Sequence, residues 1–265
     1  MRIAILGADG RMGRALVRAI VAAGPEAKLA AATERAGSPA LGQDAGTVAT
    51  GQPLGVAITA GVPATSAADV WIDFTVPAAA IPYAEAAVAA NAALVVGTTG
   101  LGDEHRAALA VAAKKIPVVF SANYSVGINV MLKLIADAAQ TLGPAYDLEI
   151  VETHHRLKRD APSGTALRLA EALTEATGRN LATDAVYARH GEVGARTAKE
   201  IGMQTLRGGD VVGDHTVHFL GIGDRVEITH RASSRDTFAH GAVRAALWLA
   251  GRPAGLYDMR SVLGL

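Results

Sequence analysis

The chain has 265 residues, which is enough for one large domain or two modest ones with a sizeable core. Its 25 basic and 25 acidic residues give a formal net charge of zero, so a nucleic acid is not expected as its partner. The sequence contains no cysteine, which excludes disulfides, thiolate metal sites and a cysteine nucleophile and fits a reducing compartment. The first residues lack the apolar stretch and cleavage site of a secretory signal, and the longest apolar tract is interrupted by Pro82, Glu85 and Asn91. We therefore expect a cytoplasmic protein with no membrane association.

The first half of the chain alternates strand and helix patterns. Short apolar runs favour buried strands, and the first of them is followed by a glycine turn and an amphipathic helix pattern. Strands alternating with helices of this length predict an α/β fold with a Rossmann-type doubly wound parallel sheet. The predicted strands lie in RIAIL, KLAAAT, VWIDFT, ALVVGTTG and IPVVFSAN, and the predicted helices lie in residues 12–23, 77–91 and 103–115.

Beyond Asn123 the order of elements changes. An amphipathic helix pattern over 130–142 leads into the strand YDLEIVETHH, and another helix is predicted from about Gly164 to Ala176. After a glycine-punctuated region, 186–213, the strands HTVHFLGI and DRVEITHRA are joined by a hairpin-like turn. These alternating strands predict a second, α+β domain that contains an open mixed sheet with helices on one face.

A glycine-rich turn, ILGADGRMG, follows the first strand and opens the first helix. Gly7, Gly10 and Gly13 supply the tight backbone and exposed N–H groups that a dinucleotide pyrophosphate needs at a helix N-terminus. Asp9 stands where a second glycine is usual, and its carboxylate would repel phosphate unless it turns away or pairs with Arg11 or Arg14. A strand–helix turn that binds nothing is the alternative interpretation.

The second strand and two later turns extend this prediction along one edge of the sheet. Glu34 ends the second strand, where an acidic residue can bind the adenine ribose, and the adjacent Arg35 can accept a 2′-phosphate. This pair predicts tolerance of both NADH and NADPH; a solvated charge pair is the alternative. The turns GTTG (97–100) and SANYS (121–125) each follow a strand, at the carboxyl edge where ligands bind in open α/β folds.

The segment ETHHRLKRDAPSGTA (152–166) concentrates protonatable and cationic side chains in an alanine-rich chain. His154 and His155 can share a pocket only if the strand ends there, because consecutive strand residues point to opposite faces. Ser163 or Thr165 caps the following helix, whose N-terminus favours an anion, and Lys158 adds a cation. The segment therefore suits a small, multiply anionic substrate that needs a proton. Solvent-exposed or core histidines are the alternative, and no zinc-ligand spacing is present, so no metal is expected.

Nine segments in order resemble one protein family over nearly the whole chain. They are GADGRMGR, ATER, WIDFT, VGTTG, SANYSVGINVMLKL, ETHHRLKRDAPSGTA, GDVVGDHTVHF, ITHRASSRDTFAHGAVRAALWL and GLYDMRSVL. Together they are similar to the dihydrodipicolinate reductase (4-hydroxy-tetrahydrodipicolinate reductase) family of the bacterial diaminopimelate route to lysine. Asp9 is a departure, since the family usually has a small or uncharged residue at that position.

The resemblance implies that a nicotinamide delivers hydride to a cyclic unsaturated dicarboxylate, with loss of water from the hydroxylated substrate. It implies His154 as general acid or base, Lys158 as proton donor, and His155, Gly164 and Thr165 as ligands of the substrate carboxylates. It further implies a cofactor domain of residues 1–125 plus 235–265, a substrate-binding and oligomerisation domain of residues 126–234, and a homotetramer. The implied cofactor-binding residues are Gly7, Ala8, Asp9, Gly10, Arg11, Met12, Glu34, Arg35, Gly97, Thr98, Thr99, Ser121, Ala122, Asn123 and Tyr124.

Two other functions remain open at this point. One is a metal-assisted hydrolase that uses the histidine pair, which metal analysis and a chelator assay would distinguish from a reductase. The other is a dinucleotide-sensing protein, which has no need of Lys158 or of the Ser-Gly-Thr turn. The remaining histidines, at 105, 190, 215, 218, 230 and 240, are expected to be surface or structural residues.

Overall fold

The chain divides into two units in the computed structural model, which describes residues 1–65 and 67–265. Met1–Val126 and Arg235–Leu265 form the first unit, and Gly127–Ser234 form the second. The strands are β1 (Arg2–Leu6), β2 (Lys28–Glu34), β3 (Ile58–Ala60), β4 (Val70–Asp73), β5 (Ala93–Val96), β6 (Pro117–Phe120), β7 (Asp147–His154), β8 (Ala185–Val186), β9 (Ile201–Arg207), β10 (Gly213–Leu220), β11 (Arg225–Ala232) and β12 (Gly255–Tyr257). The helices are α1 (Arg11–Ala22), α2 (Ala45–Thr50), α3 (Pro77–Ala89), α4 (Asp103–Ala112), α5 (Val126–Leu142), α6 (Gly164–Thr177), α7 (Leu181–Asp184), α8 (Asp236–Trp248) and α9 (Met259–Leu263).

The first unit is built on a parallel sheet of seven strands in the order β12-β6-β5-β4-β1-β2-β3. The strands β1 and β4 are buried on both faces, which explains why their segments Ile3–Leu6 and Val70–Ile72 are continuously apolar. Ile3 and Ile5 of β1 pack in one hydrophobic cluster with residues of α1 and α8, whereas Ala4 and Leu6 pack in another with residues of α3 and α4. The predicted doubly wound parallel sheet is therefore confirmed.

The order of the strands places a topological switch point between β1 and β4. From β1 the chain moves outward to β2 and β3, and it then returns to β4 and continues in the opposite direction through β5 and β6. In open α/β sheets the carboxyl ends of the strands at such a point form the usual ligand crevice. The turns at Gly7 and Thr75 lie at this point, because they follow β1 and β4.

The second unit contains a mixed sheet of five strands in the order β11-β10-β7-β9-β8. The strand β7 pairs antiparallel with β10 and parallel with β9, and β10 and β11 form the predicted hairpin. The open mixed sheet is confirmed, and it includes a strand within the glycine-punctuated region 186–213 that the sequence analysis did not predict. The strand β9 lies there, and its apolar residues Ile201 and Met203 join the core.

Side chains that alternate along β7 and β10 form the helix-covered face of this sheet. Leu148 and Ile150 of β7, together with Val217 and Phe219 of β10, pack in one hydrophobic cluster with residues of α5 and α6. The next inward positions of these strands are polar. The inward face of these strands is therefore buried along its whole length, but it is apolar over most of that length and polar at one end.

None of the helices in the described residues combines the length and the hydropathy needed to span a membrane.

Candidate active site

The glycine turn after β1 is shaped by backbone requirements. Gly7 has a φ of +72°, a conformation that favours glycine. A Cβ on Gly13 would lie 2.1 Å from the Gly7 carbonyl oxygen, so the first turn of α1 packs directly on the loop. Gly10 is the N-cap of α1 but supplies no side-chain hydrogen bond, and the first turn contains no acidic residue. The backbone N–H groups and the positive end of the helix therefore fit a pyrophosphate.

Asp9 is neutralised within the same turn. Its carboxylate forms an ion pair with Arg14 at 2.6 Å, and the Arg14 Nε also donates to the Asp9 carbonyl oxygen at 3.0 Å. This is one of the two pairings that would remove the repulsion of phosphate. Ala8 is buried and donates its N–H to the Thr33 carbonyl, Met12 packs against the core, and Arg11 is exposed.

Glu34 lies next to this turn at the end of β2. Its carboxylate accepts the Asp9 N–H at 3.2 Å and the Arg35 N–H at 2.9 Å, whereas the Arg35 side chain is exposed. A cavity of about 240 Å³ beside α1 is lined by Asp9, Arg14, Pro39, Ala40, Gln43 and Val48. Glu34 is thus fixed by backbone donors, while Arg35 keeps its charge available at the surface.

The turns after β4 and β5 pack closely at the switch point. A Cβ on Gly97 would lie 2.1 Å from the Phe74 ring, and a Cβ on Gly7 would lie 2.7 Å from the Thr75 methyl group. The Thr75 N–H donates to the Thr98 hydroxyl, which is buried, whereas Thr99 is exposed. Only glycine at 7 and 97 permits this approach of the turns.

The two carboxylate oxygens of the buried Asp73, at the end of β4, differ in their hydrogen bonding. Asp73 accepts a 2.6 Å hydrogen bond from the Thr75 hydroxyl through one oxygen, and its other oxygen has no partner among the described residues. Burial raises the pKa of Asp73, although its hydrogen bonds from Thr75 and Thr98 oppose this. The carboxyl therefore braces the turn that Thr75 forms after β4.

The turn after β6 is braced by its own side chains. The Ser121 hydroxyl donates to the Asn123 carbonyl at 3.0 Å, and the Asn123 side-chain oxygen accepts the Ser125 N–H at 2.8 Å. Ala122 between them is exposed. The implied cofactor contact of Tyr124 can involve only its backbone, because its side chain is buried with the hydroxyl 2.8 Å from the Val96 carbonyl oxygen.

In the second unit, β7 ends at His154, as a shared histidine pocket requires. His155 then turns away from the ladder and donates its N–H to the Val211 carbonyl at 2.8 Å. His154 is held through its ring, since Nδ1 lies 2.5 Å from a carboxylate oxygen of Glu152. Glu152 is 1% exposed and also accepts bidentate hydrogen bonds from Arg207, both at 2.8 Å.

The charge of Glu152 is stabilised by its surroundings. Burial would raise the pKa of this carboxyl, but hydrogen bonds from His154, Arg207 and the Ser163 N–H outweigh it and lower the pKa to about 2. The Ser163 N–H lies 2.9 Å from the carboxylate. Glu152 is therefore a buried anion, and its donors come from three different elements.

His215 joins this group, although the sequence interpretation left it among the surface or structural histidines. It lies opposite Glu152 in the β7–β10 register, with its ring centroid 5.1 Å from that of His154 and its Nε2 3.1 Å from the Ser163 hydroxyl. Burial and the neighbouring His154 lower the pKa of His215 to about 4, so the imidazole is neutral near pH 7. The signal available in the sequence was the alternation His215, Val217, Phe219, which assigns His215 to the core face.

The N-terminus of α6 completes the site. Ser163, not Thr165, is the N-cap, and its hydroxyl accepts the Ala166 N–H at 3.1 Å. Gly164 is the first helical residue, and a Cβ added there would meet open space. Lys158 is paired with Asp160 at 2.8 Å, a partner that sequence reasoning did not assign. A carboxylate-sized anion fits such a helix end.

No cluster of three or more His, Cys, Asp and Glu side chains suited to a metal ion is found in residues 1–65 and 67–265.

Two family models match nearly the whole chain. One, described as "Dihydrodipicolinate reductase, N-terminus", matches residues 1–124, and the other, "Dihydrodipicolinate reductase, C-terminus", matches residues 127–263. The chain belongs to the dihydrodipicolinate reductase family. Relatives named 4-hydroxy-tetrahydrodipicolinate reductase include those of Anaeromyxobacter dehalogenans (56% identity, 98% of the relative covered) and Pseudomonas fluorescens (54%, 99%). Both matches cover 100% of this chain.

Solved structures agree with this dihydrodipicolinate reductase fold. A dipicolinate-bound dihydrodipicolinate reductase from Paenisporosarcina sp. TG-14 has a TM-score of 0.77 at 23% identity, with 98% of each chain covered. GenD2 from gentamicin A biosynthesis, solved in complex with NAD, has a TM-score of 0.61 at 17% identity, covering 96% of this chain and 87% of its own. Membership of the dihydrodipicolinate reductase family supports a nicotinamide cofactor.

Proposed function

We propose that this chain reduces 4-hydroxy-tetrahydrodipicolinate to tetrahydrodipicolinate with NADH or NADPH, in the biosynthesis of diaminopimelate and lysine. One hydride and one proton enter the substrate, and one water leaves. The observation that carries the proposal is the carboxylate-held His154 next to Lys158 and the N-terminus of α6. Relatives that are more than half identical over the full chain bear the name of this activity.

In this proposal the first unit binds the cofactor, which supplies the hydride when it is bound. The N–H groups of the turn from Gly7 to Met12 hold the pyrophosphate, and the Asp9–Arg14 pair prevents repulsion. Glu34 would accept hydrogen bonds from the ribose hydroxyls of NADH, while the exposed Arg35 would donate hydrogen bonds to the 2′-phosphate of NADPH. The remaining contacts come from the turns after β5 and β6, at Gly97, Thr98, Thr99, Ser121, Ala122, Asn123 and the Tyr124 backbone.

The second unit binds the dicarboxylate. The Ser163 hydroxyl caps α6 by accepting the Ala166 N–H, and Gly164 is the first residue of the helix. One substrate carboxylate lies at this helix end, where a negative charge gains about 0.3–1 kcal/mol from the helix dipole and more when partly buried. His155 contributes to the second carboxylate. A solved family member bound to dipicolinate supports a planar dicarboxylate as the ligand class.

His154 at the end of β7 and Lys158 in the following loop are the groups that exchange the proton and stabilise the developing charge in this proposal. Hydride addition to an electron-poor ring leaves negative charge on the substrate, which a positioned acid and a nearby cation stabilise. His154 donates or accepts the proton, and Lys158 supplies the cation and a second proton donor. The hydrogen bond from Lys158 lowers the pKa of Asp160, so a charged carboxylate holds the ammonium in place.

The proposal includes a cytoplasmic homotetramer assembled through the second unit. Light scattering of the purified chain tests the assembly, with a mass of four chains of 27.1 kDa expected and a monomer contradicting it.

Turnover itself is tested with freshly generated substrate. The purified chain should consume the absorbance of NADH and NADPH only when the hydroxylated substrate is present, and activity should survive a chelator. If neither nicotinamide is oxidised at any substrate concentration, the proposed function is wrong.

A further inference from the structure

We propose that Glu152 is a positioning residue, which binds His154 through Nδ1 and so presents Nε2 as the nitrogen that exchanges a proton with the substrate. This inference rests on the proposed function, because it assigns the partner of the histidine that acts there. It concerns a side chain that lies outside the expected cofactor, substrate and proton-transfer residues.

The strand geometry places the two side chains together. Glu152 and His154 are two residues apart on β7, so both project from the same face of the sheet, and a carboxylate oxygen lies 2.5 Å from Nδ1. An ionised carboxylate only accepts hydrogen bonds, and therefore the hydrogen of this contact belongs to Nδ1. The neutral imidazole is thereby fixed in the tautomer whose Nε2 carries a lone pair.

Glu152 is itself held from three directions. Arg207, on the parallel neighbour β9, donates to both carboxylate oxygens at 2.8 Å, and the Ser163 N–H donates at 2.9 Å. Arg207 also donates to the Asp160 carbonyl at 2.7 Å, which ties the guanidinium to the loop after β7. A buried carboxylate with this many donors remains ionised and has a single orientation.

The opposite side of the His154 ring is kept open by a glycine. A Cβ on Gly213 would lie 3.0 Å from Nε2 and 3.4 Å from the neighbouring ring carbon, so any larger residue would crowd the nitrogen. The His215 ring packs against His154 at an interplanar angle of 77°. The ring is thus bound at Nδ1 and packed against His215, and the missing side chain of Gly213 leaves space beside Nε2.

The titratable and charged groups around His154 come from several elements. Arg207 faces it from β9, His215 from β10, His230 from β11 beyond His215, and Lys158 with Asp160 from the following loop. Glu152 is the carboxylate in hydrogen-bond contact with the ring. Removing its charge should therefore destabilise the imidazolium more than a change at a distant carboxylate.

Glu152→Gln tests this inference against Glu149→Gln. Glu149 is a matched control, because it lies on the same strand, faces the other side of the sheet and is paired with Arg189 and Arg196. We expect Glu152→Gln to lower kcat roughly 10- to 100-fold, the range known for histidines in metal sites that lose the carboxylate partner of their second ring nitrogen. The inflection in the pH profile of kcat/KM should move to lower pH, whether His154 acts as an acid or as a base. The affinity for the nicotinamide should not change. Equal kcat and equal pH profiles in both variants would overturn the inference, although wild-type turnover would still support the proposed function.

A measurement on the wild-type chain covers the case in which Glu152→Gln does not fold. Histidine labelled with ¹⁵N in the ring reports which nitrogen carries the proton, and the signals of His154 are those lost in His154→Gln. We expect Nδ1 of His154 to stay protonated while Nε2 loses its proton as the pH rises. A neutral His154 with the proton on Nε2 would overturn the inference, and this result does not depend on turnover.

Discussion

The two candidate binding regions of this chain are made from different parts of the polypeptide. The turn after β1 is mainly backbone, with glycines whose added Cβ atoms would collide with the loop, and its Asp9 carboxylate is already paired with Arg14. The polar end of β7 is made of side chains, with a buried carboxylate, two imidazoles and an arginine brought together by strand alternation. The first region should therefore be sensitive to added volume, and the second to altered charge.

The largest expected effect is on the side-chain region. His154→Gln removes the imidazole that we propose as the proton-exchanging group while preserving approximate size, so kcat should fall about 10²- to 10⁴-fold, the usual contribution of a positioned acid or base. NADH affinity, measured by fluorescence titration, should barely change because the glycine turn is untouched. Wild-type turnover in this variant would remove His154 from the mechanism.

Added volume should separate the two regions more sharply. In Gly13→Ala the new Cβ would lie 2.1 Å from a backbone oxygen, and overpacking against atoms that cannot move should cost about 3 kcal/mol of unfolding free energy. Gly164→Ala meets open space, so its stability should change by less than about 0.5 kcal/mol. We expect Gly13→Ala to lose cofactor binding and Gly164→Ala to retain it. Denaturant melts and titrations check both, and equal stability losses would contradict the contrast.

Acid should destabilise the side-chain region through His215. Its folded-state pKa is lowered to about 4 from the ordinary 6.5, so the unfolded chain binds a proton more readily between these values. Stability is therefore present above pH 6.5 and is lost as the pH falls, by about 2 kcal/mol between pH 7 and pH 5. His215→Gln should remove this share of the pH dependence, whereas His218→Gln, on the opposite face of β10, should retain it. Identical pH dependence of unfolding in both variants would contradict the role of burial.

The smallest expected effect lies at the exposed rim of the backbone region. Arg35→Ala should weaken NADPH about tenfold, the loss of one charge-assisted hydrogen bond, and should leave NADH nearly unchanged. Titration of both nucleotides measures the ratio. Equal losses for the two would mean that Arg35 does not contact the 2′-phosphate.

The backbone region after β1 could be predicted from the sequence better than the side-chain region at the end of β7. The glycine spacing and the strand RIAIL are local signals, and β1 and its turn lie where that pattern predicts. The partners of His154 are not local, because Arg207 and His215 lie more than fifty residues along the chain and reach the site through strand pairing. The strand β9 was missed within a glycine-rich stretch whose register is set by its neighbour β7.

Sequence patterns also could not predict the shortest strands or the direction in which some side chains point. The strands β3 and β12 have three residues each, too few to show periodicity. SANYS predicted a ligand turn, but the Tyr124 side chain is used to join β5 and β6 through the carbonyls of Val96 and Val119. The Asp9–Arg14 pair was one of several outcomes that the sequence left open.

Calorimetric titration with pyridine-2,6-dicarboxylate in the presence of NADH tests the central contrast most directly. The wild-type chain should bind this planar dicarboxylate, and Lys158→Gln, which removes the cation of the second region, should bind it at least tenfold more weakly, about 1.4 kcal/mol, with unchanged NADH affinity. Undiminished dicarboxylate affinity in Lys158→Gln, in a chain that still binds NADH, would contradict the assignment of the substrate to the end of β7 and the loop that follows it.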